Sequence, residues 1–262
     1  MKEPRIKIYC RSFDLRLYKY SRGLYECMGW PMVRLTDKSA DGYLYSILED
    51  EDCDIAVNID EDAFLVDPQA LKELVDKVID EGYAHAGCPD GGNTAMPRSG
   101  DPTVVNPFFS VMNLGLIRPF FDKSALQHRD DDLEPYYPLM RWLASYFKTL
   151  YLPAVKHGDG ITTVLQDTAG RMLCLHSWFA RFYSMPAWMT GRIQKGLPGQ
   201  KARIDALIDE AYALRGVARP VFGVRERFSF VLNDILRWLI KIPQRISGWP
   251  RKLRRHLHRT KA

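Results

Sequence analysis

Between residues 5 and 88 the chain switches repeatedly between two hydrophobic periods. Arg5-Ile6-Lys7-Ile8-Tyr9-Cys10 alternates and predicts a strand. Leu15 to Met28 carries apolar residues at helical spacing, with Asp14 placed to cap it. Met32 to Leu35 predicts a short strand and Ala40 to Leu48 a short helix. Asp54 to Ile59 is an apolar run that ends on Asp60, the pattern of a strand buried on both faces. Asp67 and Pro68 open a helix as N-cap and first residue. Leu71, Leu74, Val75 and Val78 make its apolar stripe, and Gly82 ends it. Tyr83 to Cys88 predicts a further strand. This βαβα order implies an α/β domain with a mainly parallel sheet flanked by helices.

Residues 89–105 hold a concentration of Gly and Pro and form a loop long enough to suspect of function. Phe108 to Ile117 predicts a buried strand pair, or a strand and a turn. Leu139 to Phe147 predicts a helix, Thr149 to Pro153 a strand, Ile161 to Gln166 a short helix and Arg171 to Leu175 a strand. Residues 186–200 have the composition of a linker, and Lys201 to Leu214 is amphipathic at helical period. The tail from Val224 to Ile242 places Phe228, Val231, Leu232, Ile235, Leu239 and Ile242 on one helical face. A division follows: a catalytic domain over 1–185, a linker with a helix over 186–223, and a basic amphipathic tail over 224–262.

Composition changes this picture in two places. The net charge of +5 is unevenly spread. Residues 225–262 hold eleven Lys/Arg against two acidic residues, a net of +9, so the remaining residues carry 5 − 9 = −4. The basic balance therefore belongs to the tail and says nothing of the chemistry of the body. Five cysteines, Cys10, Cys27, Cys53, Cys88 and Cys174, are scattered without a C-x-x-C pair. They are expected as reduced, mostly buried thiols, with no zinc or disulfide framework. No apolar stretch is long enough to predict a membrane-spanning helix, and Met1 to Tyr9 has no signal-peptide pattern.

The chemistry centres on Asp60-Glu61-Asp62. Two carboxylates spaced by one residue can share a hard divalent cation, which also takes diphosphate oxygens. Asp50-Glu51-Asp52, Asp52-Cys53-Asp54 and Asp130-Asp131-Asp132 repeat the spacing and are expected as solvated turns. Asp60 differs because an apolar strand delivers it to the carboxyl edge of the sheet, where open α/β sheets bind ligands. A carboxylate cluster there is costly unless a cation or basic ligand compensates it. The opposing reading is an acidic turn that only caps the next element.

With these residues in view, residues 5–183 resemble the GT-A type of glycosyltransferase. Ile8-Tyr9-Cys10-Arg11-Ser12-Phe13-Asp14 resembles the first strand and nucleotide-contacting turn of that family. The Gly42-Tyr43 helix resembles the segment that leads to the metal motif. Ile59-Asp60-Glu61-Asp62-Ala63-Phe64-Leu65-Val66-Asp67-Pro68 is similar to a D-x-D context. Asn106-Pro107-Phe108-Phe109-Ser110-Val111-Met112-Asn113 resembles the strands that line donor sugar and acceptor.

The resemblance implies Asp60 and Asp62 as ligands of Mn2+ or Mg2+, with His176 of Leu173-Cys174-Leu175-His176 as a third. His157 competes for that place. It implies Tyr9, Arg11, Tyr43 and Glu61 near the nucleotide, and Asn106, Asn113 and Trp178 near donor or acceptor. Asp159, in His157-Gly158-Asp159-Gly160, stands where an inverting enzyme of the family keeps its general base. Its other reading is a cap for the helix expected from Ile161. The implied reaction moves a sugar from a nucleotide-sugar donor, with UDP as the family expectation, to a glycan or lipid-linked acceptor in surface polysaccharide or lipopolysaccharide synthesis.

Three other readings bear on these residues. An aspartate-nucleophile phosphohydrolase also wants D-x-D after an apolar strand, but Phe64 and Thr162 stand where that family needs Thr or Val and a further Asp. A non-enzymatic membrane-surface scaffold with a degenerate site would use the tail alone. The tail itself has two readings: a helix for an anionic membrane interface, which would place the protein in the cytoplasm on the inner face of the membrane, or a helix packed on the domain and followed by a disordered basic end. No nucleic-acid motif accompanies its basic residues, so nucleic acid is not an expected partner.

Overall fold

The computed structural model describes residues 3–36, 41–90, 102–129, 132, 134–180, 183–184 and 199–236. Its main sheet has six strands: β1 (Ile6–Arg11), β2 (Met32–Leu35), β3 (Ile55–Asp60), β5 (His85–Pro89), β6 (Val105–Asn113) and β7 (Thr149–Tyr151). Their order is β2-β1-β3-β6-β5-β7. β6 runs antiparallel to both neighbours, and the remaining pairings are parallel. A second, antiparallel sheet is made of β4 (Ala63–Leu65), β10 (Met172–His176), β9 (Thr163–Gln166) and β8 (Ala154–Lys156), in that order. The α/β class and the mainly parallel sheet flanked by helices are as the hydrophobic periods imply.

Alternation along the strands fills two layers. Ile55, Val57 and Ile59 of β3 point into one core with Ile8 and Cys10 of β1, while Ala56 and Tyr9 point into the other. The first core is covered by α1 (Leu15–Tyr25), α3 (Pro68–Asp80) and α6 (Gln200–Leu214). The second is covered by α2 (Gly42–Leu48), α4 (Leu114–Ile117) and α5 (Tyr137–Tyr146). A last helix, α7, covers 224–236. α6 places Ile204, Leu207, Ile208 and Ala211 in the first core. Leu71, Leu74, Val75 and Val78 of α3 are likewise buried, each worth about 1.5–3 kcal/mol of transfer free energy.

The helix starts follow their capping chemistry. Asp14 accepts hydrogen bonds from the Arg16 and Leu17 amides, and Asp67 from the Ala70 amide, with Pro68 at the first helical position. α1 stops at Tyr25, short of Met28; a 3-10 turn over Glu26–Met28 follows, and Gly29 ends it with φ of 68°.

One expectation fails here. Ile161 to Gln166 is not a helix: Thr163–Gln166 is β9, held between β8 and β10. A short apolar run carries no decisive period, and the partners on both sides select the strand. Phe108 to Ile117 takes the second of its two expected forms: a strand through Asn113 followed by the single helical turn α4, rather than a strand pair.

All five cysteines are free; four are buried and Cys27 is exposed. Among the described residues no helix is long and apolar enough to cross a membrane.

His85, in β5, is 1% exposed, and its Nε2 has no hydrogen-bond partner among the described residues. Burial pushes its pKa down to about 4. The fold therefore holds it neutral while the unfolded chain, with an ordinary value of about 6.5, takes up a proton. Stability from this site is present above pH ~6.5 and is lost as pH falls through the window from ~6.5 to ~4, by about 3 kcal/mol. Urea midpoints measured across that window should fall more steeply for the wild type than for His85→Leu; parallel slopes would exclude this assignment.

Candidate metal centre

Asp60-Glu61-Asp62 is the step between the two sheets. Asp60 is the last residue of β3, and Ala63 is the first of β4. β10 lies antiparallel on β4 with His176 opposite Ala63. That register carries the imidazole to the acidic step, although 114 residues separate Asp62 from His176 in the chain.

One ligand-capable atom each from Asp60, Asp62 and His176 falls within a 4.8 Å group. Asp62 and His176 are nearly inaccessible, at 3% exposure each, and Asp60 is partly buried. His176 Nε2 lies 3.4 Å from Asp62 Oδ1. Its Nδ1 is buried and makes no hydrogen bond among the described residues. Burial alone would push the Asp62 carboxyl up, but His176 and the Ser177 hydroxyl outweigh it and hold the group below its ordinary value. Ser177 donates to Asp62 through Oγ at 2.9 Å, and its amide donates to the Asp62 carbonyl. Two carboxylates and an imidazole with a nitrogen left open among the described residues fit a divalent metal ion.

The surroundings register the concentrated negative charge. The buried Cys10 thiol, in β1, is pushed well above its ordinary value, by burial first and then by Glu61 and Asp60. Arg11 ends β1 in register with Asp60. Its guanidinium sits 5.0 Å from the Tyr43 ring and 5.4 Å from the Phe13 ring. Arg11 Nε is buried without a hydrogen-bond partner among the described residues. The Tyr43 hydroxyl, fully buried, is pushed far up by burial and then by Asp60. Arg11 and Tyr43 thus stand beside the acidic step.

Glu61 is spent differently. It is 5% exposed, and its Oε2 accepts from the Phe13 and Asp14 amides at 2.7 and 2.6 Å. It clamps the turn that joins β1 to α1 and so ties the first strand to the metal step.

The far wall is aromatic and strained. Phe108 stacks on the His176 ring at 4.2 Å and 5° between planes, and Trp178 leans on the same ring at 4.4 Å. Trp178 and Phe179 have φ of 58° and 61°, a region costly for side chains of this size, of order 1–3 kcal/mol each. Arg203, on α6, holds this turn. Its guanidinium donates to the Ser177 carbonyl at 2.6 Å, the Trp178 carbonyl at 3.1 Å and Asp159 Oδ2 at 3.0 Å. Trp178 Nε1 donates to Thr163 Oγ1.

Several expected site residues go elsewhere. Asn113 is the last residue of β6 and pairs with Ile55, the first residue of β3, at the opposite end from Asp60. Because β6 runs antiparallel, Asn113 is carried to the far edge, roughly 17 Å away at about 3.3 Å per residue. Tyr9 is 1% exposed and donates its hydroxyl to Asp50 at 2.5 Å, ahead of the start of β3. Asp159 accepts from the Ile161 and Thr162 amides, the Thr162 hydroxyl and Arg203. Burial alone would raise its carboxyl, yet these donors bring it far below the ordinary range. A carboxylate so stabilised in its ionised form is a poor proton acceptor, so its role here is to pin the turn before β9. His157 sits 3.2 Å from Glu210, outside the metal group.

Asn106 meets a cluster the sequence did not announce. It donates to Asp90 Oδ1 at 2.6 Å, while the hydroxyls of Tyr136 and Tyr137 donate to Oδ2. Of the other acidic triplets, Asp50 takes Lys7 and Tyr9, and Asp52 and Asp54 take Arg5, so the turn is pinned rather than merely solvated. Asp132 pairs with Arg141; Asp130 and Asp131 lie outside the described residues, as does most of the 89–105 loop.

No family model and no curated protein matches the chain. Among solved structures, a glycosyltransferase involved in the glycosylation of the major capsid of PBCV-1 matches with a TM-score of 0.36 and 9% identity, over 57% of this chain and 82% of that one. The mannosyltransferase PcManGT from Pyrobaculum calidifontis, in complex with GDP-Man and Mn2+, matches with a TM-score of 0.40 and 10% identity, over 90% of this chain and 81% of that one. Likenesses this distant identify no function.

Two outcomes are expected of the centre. Mn2+ should raise the melting temperature of the wild type, by the equivalent of about 2.7 kcal/mol at a hundredfold excess over its Kd, and leave Asp62→Ala and His176→Ala unmoved. Arg203→Ala should cost about 3 kcal/mol by uncoupling Asp159 and releasing the 177–179 turn, and should weaken Mn2+ binding as well. Unchanged Mn2+ affinity in that variant would separate the turn from the metal site.

Proposed function

We propose that this chain transfers a sugar from a nucleotide-sugar donor to a glycan or lipid-linked acceptor, using a divalent cation held by Asp60, Asp62 and His176. The single observation that carries this reading is the convergence of those three side chains at the carboxyl edge of a mainly parallel sheet. A nitrogen among the ligands favours Mn2+ over Mg2+, which prefers an all-oxygen shell. When bound, the cation supplies positive charge against the diphosphate that leaves the anomeric carbon.

The chain's own residues do the rest. Arg11 offers a buried Nε, without a hydrogen-bond partner among the described residues and next to Asp60, suited to a diphosphate oxygen. Tyr43 packs beneath that guanidinium and fixes its direction. Trp178 and Phe108 form an apolar wall around His176 that excludes water and offers a face to a sugar ring. Ser177 holds Asp62 in place for its ligand role. Asp159 is not assigned the acceptor's proton, because its lone pairs are already taken. UDP is the expected nucleotide, surface polysaccharide or lipopolysaccharide the expected product class, and the inner face of the membrane the expected address.

The test is thermal stability against UDP, GDP, CDP and dTDP with and without Mn2+. One nucleotide should shift the transition, only when Mn2+ is present, and the shift should vanish in Asp62→Ala. Arg11→Ala should weaken that nucleotide about tenfold or more, the loss of one charge-assisted contact, while leaving Mn2+ binding intact. A folded sample that responds to no nucleotide in the presence of Mn2+ would sink the reading.

A further inference from the structure

Among the described residues, helix α7 is held on one side. Glu226 pairs with Lys19, Phe230 is buried against Phe222, and Asn233 Oδ1 accepts from the Leu15 amide at 3.1 Å. These residues lie on one face at helical spacing, and they fix the helix to α1. The opposite face carries Val224, Phe228, Val231, Leu232 and Ile235, all exposed; Val224 and Phe228 show 86% and 69% of their surface. Residues 224, 228, 231 and 235 recur at the i, i+4, i+7, i+11 spacing of a continuous stripe. A contiguous apolar stripe of this kind on a helix already anchored from behind is a surface for a partner.

Charge identifies the partner. Arg225 and Arg227 flank the stripe on either side, and neither joins an ion pair among the described residues. The next residues, 237–262, contain nine Lys/Arg and no Asp or Glu. Apolar residues bordered by cations suit an anionic bilayer, with the stripe at the acyl boundary and the cations at lipid phosphates. A second copy on the same face would bring two such basic segments together against their repulsion. A nucleic acid would leave the apolar stripe without a use.

We propose that α7 docks this protein on an anionic lipid surface through the Val224–Ile235 stripe, with residues 237–262 adding electrostatic attraction. The docking also orients the molecule. α7 runs antiparallel to α1, since Glu226 meets Lys19 while Asn233 and Asp234 meet Leu15 and Arg16. Its carboxyl end therefore lies at the start of α1, where Glu61 clamps Phe13 and Asp14. The edge that carries Asp60, Asp62 and His176 thus stands beside the 233–236 end of the described helix. The membrane contact does not rest on the transferase reading; only the value of this orientation, for an acceptor carried by lipid, does.

The experiment is co-sedimentation of the full chain with phosphatidylcholine vesicles, with and without phosphatidylglycerol. Bound protein should rise with phosphatidylglycerol and fall as salt is added. Phe228→Asp with Val231→Asp should lower binding about tenfold or more, with an unchanged melting temperature because both side chains are exposed. Binding that ignores lipid charge, survives the double substitution or is absent in the wild type overturns the proposal. So does a wild-type dimer in solution that the double substitution splits, which would give the stripe to a second copy. Nucleotide binding measured on the same double variant should stay at the wild-type level, so a failed docking and a failed transferase reading are told apart.

Discussion

The pairing of β10 with β4 is the contact on which the candidate chemistry depends. The chain leaves the main sheet at Asp60 and enters the second sheet at Ala63, so the acidic residues occupy a step between the two. With His176 opposite Ala63, the imidazole reaches that step from a distant part of the sequence. Side chains alternate along a strand, so a slip of one residue would turn His176 to the other face and dissolve the group. Phe108 reinforces the register by stacking on the imidazole from the main sheet.

Concentrating carboxylates at a buried junction works against folding, and the surrounding structure offsets this piecemeal. Glu61 is turned away from its neighbours and satisfied by two backbone amides. Asp62 is held ionised by His176 and Ser177. What stays unsatisfied is informative: His176 Nδ1 and Arg11 Nε are buried with no hydrogen-bond partner among the described residues, both beside the acidic step. An open imidazole nitrogen and an open guanidinium nitrogen near the paired carboxylates suit the proposed ligand, which brings both a cation and an anion.

Rigidity in this region comes from outside the two sheets. α6 sends Arg203 across to the 177–178 carbonyls, and this fixes a turn whose backbone is unfavourable at Trp178 and Phe179. α7 is fastened to α1, itself fastened to the metal step through Glu61. Elements from the last quarter of the chain therefore brace a centre whose ligands come from earlier strands. That arrangement links the exposed face of α7 to the orientation of the centre.

Much of the fold was legible because its causes are local. The apolar run into Asp60, the Asp14 and Asp67 caps and the α3 stripe all follow from spacing and side-chain chemistry within a few residues. The D-x-D at a strand's carboxyl end was legible for the same reason, and His176 stood at the end of a readable strand. Tertiary structure decided what depends on partners distant in sequence. The antiparallel direction of β6 removed Asn113 from the site, and two neighbouring strands turned Thr163–Gln166 from an expected helix into β9. Asp50 claimed Tyr9, and Arg203 claimed Asp159, each by a hydrogen bond that no spacing foretells. Sequence determines which groups can do chemistry and how each segment prefers to lie. Strand direction, register and long-range hydrogen bonds determine which of those groups meet, because they are set by packing across the whole chain.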